Sequence, residues 1–192
     1  MRASEAIDRI LIHAGFSSSE ERGLLHSLRP YTGLDERHYV DLILAVAFWH
    51  EDIQRTQKID KIVPAALWEV CWVSRLLALR VNSPLRRNAL ISPEDVSRLE
   101  HWIDSLEAMC VRSLSGVDLP VCLTRVFDYI VQHSHQDMEV YLPLVPVIQD
   151  CVKYDDADIS SGASEALGRI YGLGGASRGD TDNKYPGAGD TP

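Results

Sequence analysis

The chain has 192 residues, 45% hydrophobic and 24% charged, the composition of one globular domain able to bury a core unaided. Its net charge of -9 is uneven, because residues 1–112 carry 14 bases and 16 acids while residues 113–192 carry 5 and 12. Such an acidic half argues against nucleic acid, whose phosphates need clustered Lys and Arg, and favours a protein partner with a basic surface.

The four cysteines, Cys71, Cys110, Cys122 and Cys151, form no Cys-x-x-Cys pair and sit in apolar helical contexts, so buried free thiols are expected. The N-terminal residues include acids where a secretory leader needs an apolar run. The longest apolar stretch, residues 39–49, is interrupted by Asp41 and falls short of the roughly 20 residues needed to cross a bilayer. A cytoplasmic chain without a membrane span is therefore expected. Fifteen arginines against four lysines suit a GC-rich bacterial genome.

Helix signals recur along the chain. Ile7, Ile10, Leu11 and Ala14 mark a first helix ended by Gly15. Ser17 and Glu20 form a capping-box pattern that predicts a second helix up to Arg29, before Pro30. A third, over 35–55, is apolar nearly all round and is expected at the centre. A fourth, over 65–81, opens after Pro64, is apolar on most faces and is broken by Asn82-Ser83-Pro84. These two helices predict a core containing Ile43, Val46, Phe48, Trp68, Trp72 and Leu76. Ser92-Pro93-Glu94-Asp95 starts a fifth helix that stops at Gly116, and a sixth covers 119–133. Residues 137–171 read as two more, with Pro143 and Pro146 kinking the first or moving its start. The expected fold is all-α, one domain of about 7–8 helices over 1–172, either an irregular bundle or a stack of helical hairpins. The Gly-, Asp- and Ser-rich residues 173–192 predict a disordered tail.

Within the last pair, Leu142-Pro143-Leu144-Val145-Pro146-Val147-Ile148-Gln149-Asp150, Asp156-Ala157-Asp158-Ile159 and Ala163-Ser164-Glu165-Ala166-Leu167-Gly168-Arg169-Ile170 together resemble one HEAT-type repeat. Ser160-Ser161-Gly162 departs from the family, which usually has a basic residue and a helix former there. The resemblance implies antiparallel stacked helices and a protein-binding surface without catalytic residues.

The polar motifs have structural readings. Asp35-x-x-His38 with Asp41 lies on one helical face, but no matching Glu-x-x-His motif completes a di-metal site. His50-Glu51-Asp52 lacks the second histidine of a zinc-protease motif and reads as a helix returning to solvent. His133-Ser134-His135 reads as a helix end. Ser164 lies inside a predicted helix, so Gly162-Ala163-Ser164-Glu165-Ala166 is no nucleophile elbow. Residues 70–92 hold Arg75, Arg80, Arg86 and Arg87 and no acid, and these are expected to supply counter-charges for acidic helices.

A non-enzymatic protein without metal or cofactor is therefore expected. The leading reading is a small cytosolic inhibitor or immunity protein that neutralises a toxin or effector through an acidic helical surface, with Asp137, Glu139, Asp155, Asp156 and Asp158 as partner-binding residues. One alternative is a scaffold or adaptor with a HEAT-like groove. The other is an enzyme whose site is assembled from scattered residues such as His38, Asp41 and His50.

Overall fold

The computed structural model describes residues 1–18, 20–133 and 137–172, so the expected tail at 173–192 lies outside the described residues. Seven longer α-helices carry the fold: α1 Ala3–His13, α3 Glu36–Thr56, α4 Ile62–Ser74, α6 Pro93–Leu114, α8 Thr124–Gln132, α9 Val145–Cys151 and α10 Ala157–Ile170. Three single turns join them: α2 Leu24–Ser27, α5 Pro84–Arg87 and α7 Leu119–Cys122. Among the described residues no strand forms, only one isolated bridge between Leu28 and Tyr31.

Local chemistry explains the best-formed ends. The Asp35 carboxylate accepts the Arg37 N–H and starts α3, while Ser92 accepts the Asp95 N–H ahead of Pro93 and starts α6. The expected central position of α3 holds: Tyr39, Leu42, Ile43, Ala45 and Val46 are wholly buried around its circumference. Helix α1 packs on one side of it, with α6 and the 3-10 segment Met138–Leu144 on others, while α10 lies against α8 and α9. The result is an irregular bundle. Helices α9 and α10 pack on each other, and the 3-10 segment ahead of α9 contains Pro143, which withholds a backbone donor.

The expected second helix is replaced by an extended connection and the four-residue α2. The Ser17–Glu20 signal is overridden by a tertiary contact, since Gly23 passes so close to α1 that an added Cβ would lie 2.3 Å from His13 Cα. Gly23→Ala is accordingly expected to destabilise the protein by about 1–3 kcal/mol in a denaturant melt, the usual penalty of forced overpacking. No measurable loss would mean that this connection stands off from α1.

The expected fourth helix also changes form. After Ser74 the chain passes into a π-helical segment, Arg75–Leu79, and Arg80 turns extended with ψ 142°. By length and composition the run Ile62–Arg87 is long and apolar enough to cross a membrane. The expected sixth helix divides at Leu123 into α7 and α8.

Candidate functional site

Helix α4 is apolar on two faces, and the bundle covers only one. Val63, Ala66, Leu67, Val70 and Val73 face inward and are buried. Trp68, Trp72 and Leu76, expected in the core, recur at helical spacing on the other face and are 61%, 41% and 39% exposed. Phe48 is half-buried, while Ile43 and Val46 are buried as expected. All-round apolarity places a helix near the core without saying how many of its faces find a neighbour. Exposed large apolar patches of this kind mark interaction surfaces.

The outer face of α4 forms one wall of a groove whose other wall is α6. Leu67, Trp68 and Cys71 meet Cys110, Val111 and Leu114 around a cavity of about 370 Å³. Val111 and Leu114 are exposed like the tryptophans. Arg75 crosses between the helices, donating to Asp104 at 2.8 Å and to both oxygens of Glu107 at 3.0 and 2.8 Å. Arg75 is therefore the counter-charge expected of it, whereas Arg80, Arg86 and Arg87 make no ion pair among the described residues. The Trp68 and Trp72 rings stack with centroids 5.5 Å apart and planes 8° apart, and the Arg80 guanidinium lies 4.8 Å over Trp72. Burial pushes the Cys71 thiol up to about 12 and the Cys110 thiol up to about 11, so both stay neutral and the floor stays apolar. All four cysteines are free, with Cys110 half-buried and the others buried.

The histidines are committed elsewhere. His13, which sequence reasoning passed over, is buried between α1 and α3; its Nδ1 accepts the Leu24 N–H at 3.1 Å and its Nε2 donates to Asp41 at 3.0 Å. Both ring nitrogens are thereby used, and neither remains to take a proton from a substrate. His38 packs edge-on against His13 at 5.5 Å. Burial opposes ionisation of Asp41 most strongly, but the His13 hydrogen bond together with the nearby charges of His13, Arg9 and His38 outweighs it and holds the carboxyl below its usual range. His50 does not return to solvent as expected. It is buried, with Nδ1 3.1 Å from Ser113 Oγ. It lies twelve residues along α3 from His38, about 18 Å at helical rise, so His38, Asp41 and His50 do not converge. Among the described residues no group of three His, Cys, Asp or Glu side chains is arranged to hold a metal ion.

Burial depresses the basicity of His50, and in the same direction that of His38 and His133. The unfolded chain takes up these protons near pH 6.5, before the folded protein does, so stability is lost as pH falls through that value. The melting temperature is expected to drop between about pH 7.5 and 5.5, with His50→Gln flattening part of the slope. A melting temperature that rises on acidification would contradict the burial argument.

The five acids expected to bind a partner are all exposed. Asp137 accepts the Glu139 N–H at the start of the 3-10 segment, and Asp156 accepts the Asp158 and Ile159 N–H groups at the start of α10. Those two carboxylates are helix caps; Glu139, Asp155 and Asp158 point to solvent without an ion-pair partner among the described residues.

The most elaborate polar cluster is buried. Glu36, the first residue of α3, accepts Tyr129 Oη at 2.6 Å and Tyr141 Oη on one oxygen and Arg98 Nη2 at 2.5 Å on the other. Arg98 also donates to Asp95 at 3.0 Å, and Asp95 accepts Tyr31 Oη at 2.6 Å. Burial and the Glu36 carboxylate push the Tyr129 phenol above its usual range and hold it as a donor. This network ties α3, α6, α8, the 3-10 segment and the turn at Tyr31 together. No family model, no curated protein and no solved structure matches the chain.

Proposed function

We propose that the chain is a non-catalytic protein-binding domain whose docking surface is the apolar groove between α4 and α6. The observation that carries this reading is the stacked Trp68–Trp72 pair, held outward beside a concave apolar floor. Tryptophan is the residue type most enriched among the few that dominate binding energy, and a groove between helices suits an inserted helical segment. The scaffold or adaptor reading is therefore preferred. Enzymatic roles are disfavoured because His13 has both nitrogens engaged, His50 is bonded to Ser113, and the thiols are held neutral.

A photo-reactive amino acid at Val111 should capture a partner in the native host, the same group at exposed Ser161 should not, and Trp72→Ser should abolish the capture. Capture from position 161 alone would remove the groove from the reading.

One observation supports a second reading, an inhibitor with an acidic face: Asp155 and Asp158 flank an exposed turn in a half-chain with 12 acids and 5 bases. On that reading, replacing Asp155 and Asp158 by asparagine while keeping the Asp156 cap slows association at low salt and leaves melting unchanged.

A further inference from the structure

We infer that the occupant of the α4–α6 groove is an acidic amphipathic helix of another protein, an inference that rests on the protein-binding reading above. Three features of the groove specify that occupant.

The first is shape. Arg75 pairs with Asp104 and Glu107 while Pro64 and Leu114 share the other end, so α4 and α6 run antiparallel with the apolar floor between them. Side chains recurring at three and four residues along a third helix fit such a furrow. A lipid surface offers no protruding side chains to fill a concavity.

The second is rigidity. Arg80, Trp72 and Trp68 form a continuous stack along the exposed face of α4, so each already rests on a neighbour before anything binds. Less side-chain freedom is then lost on association.

The third is charge. Residues 58–92 hold six bases and two acids, and with Arg75 set against the acids of α6 the remaining bases still outnumber the acids five to two. On the opposite wall Asp104 and Glu107 are offset by Arg75, with Arg125 at 3.8 Å from Asp104. Lys61 and Arg80 stand exposed at the two ends of the Trp68–Trp72–Leu76 stripe, and neither is ion-paired among the described residues. Nineteen residues separate them, about 28 Å at helical rise, which is the span of a partner helix of some five turns. A second copy docked through the same face would bring two such basic stripes together. Acids flanking an apolar stripe on the partner satisfy both ends.

Two synthetic peptides of about 20 residues test this, sharing one Leu/Phe face and flanked either by Glu or by Lys. Binding is read from tryptophan fluorescence, to which the exposed Trp68 and Trp72 respond while Trp49 and Trp102 stay buried. The Glu-flanked peptide is expected to bind about tenfold more tightly than the Lys-flanked one at low salt. The preference should reverse in Lys61→Glu/Arg80→Glu and all binding, read for that variant from the anisotropy of a dye-labelled peptide, should vanish in Trp68→Ser/Trp72→Ser, with circular dichroism confirming that both variants fold. Equal or tighter binding of the Lys-flanked peptide at the tryptophans overturns the acidic occupant and leaves the protein-binding reading standing. Binding of neither peptide overturns the inference. So does a fluorescence shift given only by phosphatidylserine vesicles, or self-association that Trp68→Ser abolishes; these point to a membrane and to a second copy, and the vesicle result overturns the protein-binding reading as well.

Discussion

Replacing Glu36 by alanine is expected to destabilise the protein by about 3–5 kcal/mol, the cost of stranding a buried charge. The carboxylate is 7% exposed and is the shared acceptor for Arg98, Tyr129 and Tyr141, which lie 62, 93 and 105 residues away in sequence. Its removal leaves the Arg98 guanidinium, packed 5.4 Å over the Trp102 ring, with Asp95 as its remaining carboxylate. It also leaves two buried phenols without their acceptor. Arg98→Met should be harmful by a similar amount for the opposite reason, an uncompensated carboxylate. The double change Glu36→Leu/Arg98→Met should cost less than the sum of the two single losses, because neither charge is then left unpaired, although the Tyr129 and Tyr141 hydroxyls still lose their acceptor. Denaturant melts of the three variants measure this directly. Additive losses in the double variant would show that the two side chains are not coupled.

Trp68→Ala/Trp72→Ala is expected to weaken partner binding by about 2–4 kcal/mol, the usual range for central aromatic anchors. The same variant should change folding stability by less than about 2 kcal/mol, since the two side chains are already 61% and 41% exposed. The contrast with a core assignment is sharp, because truncating a buried tryptophan costs about 3–5 kcal/mol. Trp102, wholly buried and stacked on Tyr39 at 5.2 Å, is the internal comparison: Trp102→Ala should show that full loss. A melt of the double variant resembling that of Trp102→Ala would place the α4 face against the bundle and remove the docking surface.

The all-α fold and the ends of α3 and α6 were legible because they depend on neighbours in sequence: Asp35 and Ser92 cap the residues that follow them, and Pro93 suits a first turn. The position of α3 was legible from its almost unbroken apolar circumference. The groove was not, for a physical reason. Trp68 and Val70 look equally hydrophobic in sequence, and only the packing of α6 and α1 against α4 decides which of them is covered. The second helix failed similarly, as a local capping signal at Ser17 and Glu20 lost to the contact of Gly23 with His13. Glu36 could have been noticed as an acid at the first turn of a central helix, but its partners come from three distant elements. His13 carried no signal beyond its place two residues before Gly15. Of the arginines in 70–92, Arg75 answers the acids of α6, and the charge left on Arg80 became meaningful only once the tryptophans were seen outside.

The docking surface is tested most directly by hydroxyl-radical footprinting of the chain alone and in complex with the partner captured through Val111. Trp68 and Leu114 are reactive side chains lining the groove and Trp72 stacks on Trp68 beside it, Phe16 and Tyr171 are exposed controls that do not line it, and buried Trp49 and Trp102 stay silent in both states. Labelling of Trp68, Trp72 and Leu114 is expected to fall on binding while Phe16 and Tyr171 keep theirs. Unchanged labelling of both tryptophans, with protection appearing instead around residues 137–158, would contradict the groove and move the interface to the acidic segment.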